Sequence, residues 1–264
     1  MHKISTVIIT YNEEKAIERC LKTVAGFSDE IVVVDSFSTD RTLEIVKPFT
    51  DKVFQRKPET IINQINYATS LATNEWVFCI DADERVTDTL CARILDLKKN
   101  GFDADAYSVN RLNYYINGFF KYCGWYPDRK IRLFNKTLST WGGQEPHYEV
   151  IMKPDTKVAF LQCDLIHFTY RDIFHQVEKM NRFSSQAANS KRTGSFLVAR
   201  IFLNPIFRFI KTYFFQLGFL GGVRGFANAG IVSFYVFCKY LKMWESIHKK
   251  EIYDVDKEMF DKPD

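Results

Sequence analysis

Apolar positions recur with two different periods along the first hundred residues. Val7-Ile8-Ile9, Ile31-Val32-Val33-Val34 and Val77-Phe78-Cys79-Ile80 are short, β-rich runs that are apolar on both faces. Such runs suit parallel strands covered by helices on either side. Between them the spacing becomes that of a helix. Ala16, Ile17, Cys20, Leu21 and Val24 make one stripe, Leu43, Ile45 and Val46 start a second, and Ile61, Ile62, Ile65 and Ala68 a third. The βαβα order predicts an α/β fold with a doubly wound, mostly parallel sheet and right-handed crossovers.

After Asn100 the pattern turns irregular and aromatic, with runs that read as antiparallel strands at 106–109, 131–134 and 158–168. From Asp172 a helical stripe resumes through Ile173, Phe174, Val177, Met180 and Phe183. A helical C-terminal region is expected from about Thr193-Gly194, which divides the chain into 1–193 and 194–264. Within that region Phe196–Leu217 and Gly225–Trp244 are apolar but interrupted by Arg200, Arg208, Lys211, Lys239 and Lys242. The longest uncharged run, Gly225–Cys238, has 14 residues. A bilayer span needs about 20. Amphipathic helices lying in an anionic membrane surface fit this pattern, with basic side chains reaching headgroups. Packing on the domain as extra core is the alternative.

Charge sharpens that reading. The net charge of the 264 residues is only +4, yet residues 171–250 carry 13 Lys and Arg against 3 Asp and Glu. Phe and Tyr concentrate in the same segment, interleaved as long Phe-rich runs rather than polar ones, which argues against nucleic acid as the partner. The opening residues read as a first strand and not a signal peptide, because Glu13-Glu14 follows a short apolar stretch at once. Six scattered cysteines form no C-x-x-C pair. Together these predict a reduced, cytoplasmic setting, peripheral on the inner face of the cytoplasmic membrane.

The sharpest chemical signal is Asp81-Ala82-Asp83-Glu84, directly after an apolar strand. Ligands of an open parallel sheet bind at the carboxyl ends of its strands. Two carboxylates one residue apart there suit Mg²⁺ or Mn²⁺, with positions left over for diphosphate oxygens. The plain alternative is an acidic turn before a helix capped at Thr87. The first strand runs into Thr10-Tyr11-Asn12-Glu13-Glu14, with neither G-x-G-x-x-G nor a P-loop to cradle phosphates. A carboxylate-held cation would neutralise a nucleotide's phosphates instead. The second strand ends in Asp35-Ser36-Phe37-Ser38-Thr39-Asp40. Asp35 is placed to meet a base or ribose, and Asp40 to cap the next helix. A haloacid-dehalogenase-type phosphatase also places D-x-D after a strand, but after its first and running into Thr or Ser, whereas here Glu84-Arg85 follows. A non-catalytic membrane scaffold would leave the acidic motif and TYNEE without a purpose.

These segments, VIITYNEE (7–14), EIVVVDSFSTDRT (30–42), EWVFCIDADERV (75–86) and GWYPDRKIRLF (124–134), resemble family 2 inverting glycosyltransferases. The likeness is nearest to the branch that holds lipopolysaccharide-core β-1,4-glucosyltransferases, and it extends over nearly the whole chain. It implies a GT-A fold and transfer of a hexose, glucose by resemblance, from a UDP-sugar to a lipid-linked or lipopolysaccharide saccharide. It further implies that Thr10, Tyr11, Glu13, Asp35 and Asp81 line the donor site and that Asp83, with Asp81, holds the metal. Two departures stand out. Relatives often carry Lys or Arg inside the segment that here reads Gln64-Ile65-Asn66, and a His-Glu pair where this chain has His147-Tyr148-Glu149. Inverting transfer needs one general base on the acceptor side. Glu149 is the first candidate, then Glu145 and Asp128. Trp125, Tyr126, Arg129 and His147 are candidates for acceptor binding. Trp141 could stack on a sugar or fill the core, Arg132 could meet a phosphate, and His167 is expected to be structural or acceptor-binding.

Overall fold

The computed structural model describes residues 2–57, 59–144, 147–189 and 196–249, with Gln144 and His147 described by backbone alone. β1 (Ile4–Thr10), β2 (Glu30–Asp35), a short β3 (Val53–Gln55) and β4 (Trp76–Cys79) pair in parallel in the order β3-β2-β1-β4. Successive side chains of a strand point to opposite faces. Ile4, Ile8, Ile31, Val33, Phe78 and Ile80 therefore join one core, while Val7, Val32, Val34, Val77 and Cys79 join the other. On the first face α1 (Ile17–Val24) seats Ile17, Cys20, Leu21 and Val24, all fully buried. On the second, α3 (Ile61–Leu71) seats Ile65 and Ala68. α2 (Thr42–Val46) is a single turn after β2.

β5 (Glu84–Val86), α4 (Asp88–Asn100), β6 (Ala106–Tyr115), β7 (Gly118–Phe120), β8 (Arg129–Asn135) and β11 (Val158–His167) complete the sheet as β4-β8-β6-β11-β5, with β7 on β6. β8 runs antiparallel to β4 and β6, as its sequence suggests. β11 does not follow that expectation: it is parallel to β6 and antiparallel to β5. Its partner is set by the long return after β8, which no local pattern in β11 records. That return holds the hairpin β9 (Ser139–Gln144) and β10 (His147–Met152), whose Trp141 and Val150 close the second core. Asn66 of α3 fixes the hairpin, donating to the Trp141 carbonyl (2.9 Å) and accepting from its N–H (3.0 Å).

The sheet must curl. Only four residues, 80–83, separate β4 from β5, which lie four inter-strand steps apart. Flat, those steps would cover about 19 Å, more than so short a turn can reach. The curl brings β5 and the end of β11 back to the exit of β4.

The chain forms two compact units. Met1–Lys121 with Trp125–Thr169 make the first, and Tyr122–Gly124 with the chain from Tyr170 onward the second. The division falls at Thr169, earlier than the 193/194 expected, because α5 (Ile173–Asn189) packs with α7 (Gly222–His248). Gln176 donates to Asn228, and Lys242 donates to Ser184 and to the Asn181 side chain. α6 (Leu197–Ile210) continues as a π-helical turn to Phe215, and a 3-10 turn at Gly218–Gly221 leads into α7. No described helix alone is long and apolar enough to cross a membrane; Leu197–Phe215 and Gly218–His248 would suffice together, but they are bent by 70°.

Candidate active site

Thr10 ends β1 nearly buried, and its hydroxyl finds no hydrogen-bond partner among the described residues. The loop that follows is latched to the loop after β2. Asn12 and Glu13 donate their N–H groups to Ser38 Oγ and Thr42 Oγ1 (both 2.8 Å), and Asn12 Oδ1 accepts from the N–H of Thr39 (2.8 Å). Asn12 does so with φ 53°, a left-handed conformation that asparagine tolerates. Tyr11 and Phe37 stand on these two loops with more than half of each side chain exposed, 57% and 53%. Asp35 is fully buried and accepts from the Ser38 N–H (2.8 Å) and the Gln55 amide (3.1 Å), so its carboxylate orders the second loop from within. Asp40 accepts from the N–H of Thr42, the first residue of α2 (3.0 Å), but the N-cap position is Arg41, so Asp40 stands one residue before the capping place expected of it.

At the exit of β4 the two aspartates take different partners. Asp81 Oδ2 accepts from Arg132 Nη2 (3.0 Å), reached from β8. Arg132 also donates to Glu84, which is fully buried, as Arg132 itself nearly is. Burial pushes the Glu84 carboxyl up, and burial opposes charge on Arg132 too, but Glu84 and Asp81 together hold the guanidinium charged. Arg132 is thus a clamp under the acidic turn, not the surface phosphate ligand the sequence suggested. Tyr148 of β10 lies close by. The negative charge of Asp81, then burial, pushes its phenol far up, so it stays protonated.

Asp83 faces the other way. β11 pairs His167 with Glu84 on one side and with Asn113 on the other, which carries the imidazole to the turn. His167 Nε2 lies 3.5 Å from Asp83 Oδ2, and its Nδ1 is 2.7 Å from Asn113 Oδ1. An Nδ1–H given to Asn113 leaves the Nε2 lone pair on the Asp83 side, the form that ligates metals. Among the described residues no third His, Cys, Asp or Glu joins them, so the protein groups alone do not make up a metal site. A divalent cation here would need water and phosphate oxygens for most of its ligands.

The remaining candidates are dispersed. Asp128 receives Arg111 (2.7 Å) and Lys130 (3.3 Å), so its lone pairs are occupied. Glu149 is exposed on β10, on the strand face opposite Tyr148, and so points away from the acidic turn; among the described residues it makes no ion pair. Glu145 lies outside the described residues, as does the side chain of His147. Trp125 packs against Tyr115 and Phe120, and Trp141 against Phe134 and Tyr148. Tyr126 donates to Asp164 (3.0 Å), and exposed Arg129 stacks over Phe160 (4.1 Å). Trp141 therefore serves the core, whereas Trp125 is half-buried.

The family described as Glycosyl transferase family 2 matches residues 5–155, more than half of the chain. The chain belongs to glycosyl transferase family 2. An uncharacterized glycosyltransferase of Rickettsia typhi is 32% identical over 257 residues, covering 93% of this chain and 88% of its own. The lipopolysaccharide core biosynthesis glycosyltransferase LpsC of Rhizobium meliloti is 28% identical over 258 residues, 92% of each chain. Among solved structures, the mannosyltransferase PcManGT from Pyrobaculum calidifontis, in complex with GDP-Man and Mn²⁺, aligns with a TM-score of 0.51 at 15% identity. It covers 92% of this chain and 87% of its own. The fold of this family 2 glycosyltransferase is GT-A, with a helical region at its C-terminal side.

Proposed function

We propose that this glycosyltransferase moves a hexose, glucose by resemblance, with inversion from a UDP-sugar to a lipid-linked saccharide of the lipopolysaccharide-core type. The work is done at the inner face of the cytoplasmic membrane, on which the second unit holds the enzyme peripherally. The observation that carries the reading is Asp83 set against His167 at the exit of β4, beside two latched loops that offer exposed aromatic rings. The LpsC relative supports the acceptor class.

Each residue has a task in this reading. Tyr11 and Phe37 offer faces for the base, and the buried Thr10 hydroxyl has hydrogen-bonding capacity to spare. Asp83 and His167 would hold Mg²⁺ or Mn²⁺, whose chemistry is to stabilise charge on the departing diphosphate. Arg132 keeps Asp81 in place at the sugar side of the turn. The acceptor hydroxyl gives its proton to a carboxylate of the hairpin tip, Glu149 first and Glu145 second. Glu149 would have to turn inward from where it now stands, whereas Asp128 is already committed to cations.

Asp83→Asn keeps the shape and removes the charge. Turnover of UDP-sugar with Mn²⁺ should fall at least about a hundredfold, the scale of losing a key charge stabiliser, and calorimetry should show UDP binding insensitive to EDTA. Glu149→Gln should lower transfer comparably while donor affinity changes little. Normal turnover of Asp83→Asn in EDTA-treated buffer removes the metal assignment; full activity of Glu149→Gln moves the base to Glu145.

A further inference from the structure

Between α6 and α7 of the second unit runs an open groove of about 450 Å³. Ile201, Pro205 and Phe209 line it from α6, and Gly230, Phe234 and Phe237 from α7. Ser233 is its single polar side chain, and that hydroxyl is spent on the Pro205 carbonyl (2.6 Å). A cavity with nothing to offer water stays dry and takes apolar ligands. Its rim is apolar as well, with Phe202, Ile206 and Phe234 all more than half exposed. Gly230 keeps the floor open, since a Cβ there would meet no atom within 4 Å.

Charge says what kind of apolar ligand belongs here. From Phe196 to Trp244 the sequence holds six basic residues, Arg200, Arg208, Lys211, Arg224, Lys239 and Lys242, and no acidic one. An apolar groove in a helical pair whose charged residues between Phe196 and Trp244 are all basic matches a molecule with an apolar tail and an anionic head. We infer that the α6–α7 groove takes one acyl chain of an anionic phospholipid drawn from the leaflet beneath it, with the surrounding cations held toward its headgroup. A protein helix would also fill an apolar slot but would need an acidic face to match these basic residues, whereas an anionic lipid joins the apolar chain and the negative head in one molecule. The inference rests on the membrane part of the reading above and is independent of the sugar chemistry.

The test uses the full-length enzyme with phosphatidylcholine vesicles containing phosphatidylglycerol that carries a diazirine on its acyl chain. After flotation and irradiation, label should map to residues 201–210 and 230–237. Gly230→Leu, whose Cβ would meet no atom within 4 Å and whose branch would occupy the groove, should lower that label at least tenfold while flotation stays within twofold. Ile206→Glu, at the exposed rim, should do the same if Gly230→Leu fails to fold. Label confined to other segments, wild-type levels of label in both variants, or crosslinks between protein copies through Phe234 that shield the groove would overturn the inference. Failure of the wild type to float at any phosphatidylglycerol content overturns the membrane reading and the groove with it. Flotation without groove label overturns the groove alone.

Discussion

Arg132 and Glu84, 3% and 0% exposed, neutralise each other beneath the turn that presents Asp81 and Asp83. Removing one partner of a buried pair strands the other charge. Arg132→Met should therefore cost about 3–5 kcal/mol in urea unfolding, and adding Glu84→Gln should recover a large share. Strict additivity of the two changes would show that the pair is uncoupled. A second buried carboxylate gives a pH signature. Against the penalty of burial, bonds from Lys52, Ser5 and Thr73 hold Glu30 down to about 2, from an ordinary 4.5. Ionised Glu30 is favoured in the fold, so its contribution is complete above pH 5 and fades as pH falls from 4.5 toward 2. Comparison of wild type with Glu30→Gln should show a gap on the order of 2–3 kcal/mol at pH 7 that narrows at pH 3; a gap that stays constant would contradict the assignment. At this scale the sequence reveals what is local. Asp81 and Asp83 stand out because a short acidic pair interrupts an apolar run. His167 and Arg132 reach the turn only through ladder pairings from β11 and β8, far along the chain. The one available hint was a basic residue inside the buried Ile131–Phe134 run, since an arginine in a core is seldom there without a partner. Glu149 stands where relatives place a His-Glu pair, but strand alternation turns it to the face of β10 opposite Tyr148.

The elements that declare themselves are those whose own period settles their burial. The stripe of α1 and the doubly apolar runs of β1, β2 and β4 need no distant information, because helices cover both sheet faces. β3 escapes notice because its three residues, two half-buried and one exposed, show no period. β11 reads as a strand, but its direction relative to β6 depends on the path of the chain between them. In the second unit two glycines do what no periodicity can show. A Cβ on Gly225 would lie 1.8 Å from the Gly218 carbonyl oxygen, and one on Gly218 would lie 2.8 Å from that of Thr212. The turn from α6 into α7 closes only because both positions are bare. Gly225→Ala should cost about 3 kcal/mol or more, the upper range of overpacking, and should open the 211–225 segment to limited proteolysis. Gly230→Ala, in open space, should be neutral or slightly stabilising in the same assay. Equal protease resistance of the two variants would refute the tight-contact account.

For the molecule as a whole, composition marks a basic, aromatic region from residue 171, next to the start of the second unit at Tyr170, whereas the boundary expected at 193/194 for the helical region falls inside that unit. What composition could not show is that this unit also claims Tyr122–Gly124 from the middle of the chain. Cys123 donates its N–H to the Gln216 carbonyl (2.8 Å) and its thiol to that of Gly225 (3.6 Å). A chain ended after Thr169 would strand buried Cys123 without its partners, so it should yield mostly insoluble protein or a broad, weakly cooperative melt. A sharp melt at the full-length temperature would show that the first unit stands alone. The polypeptide passes between the units at 121/122, 124/125 and 169/170. Such a layout cannot be traded by a single recombination point. A chimera that borrows the tail of a relative must also borrow the three residues in the middle, so the two units are inherited as one piece even where their tasks differ.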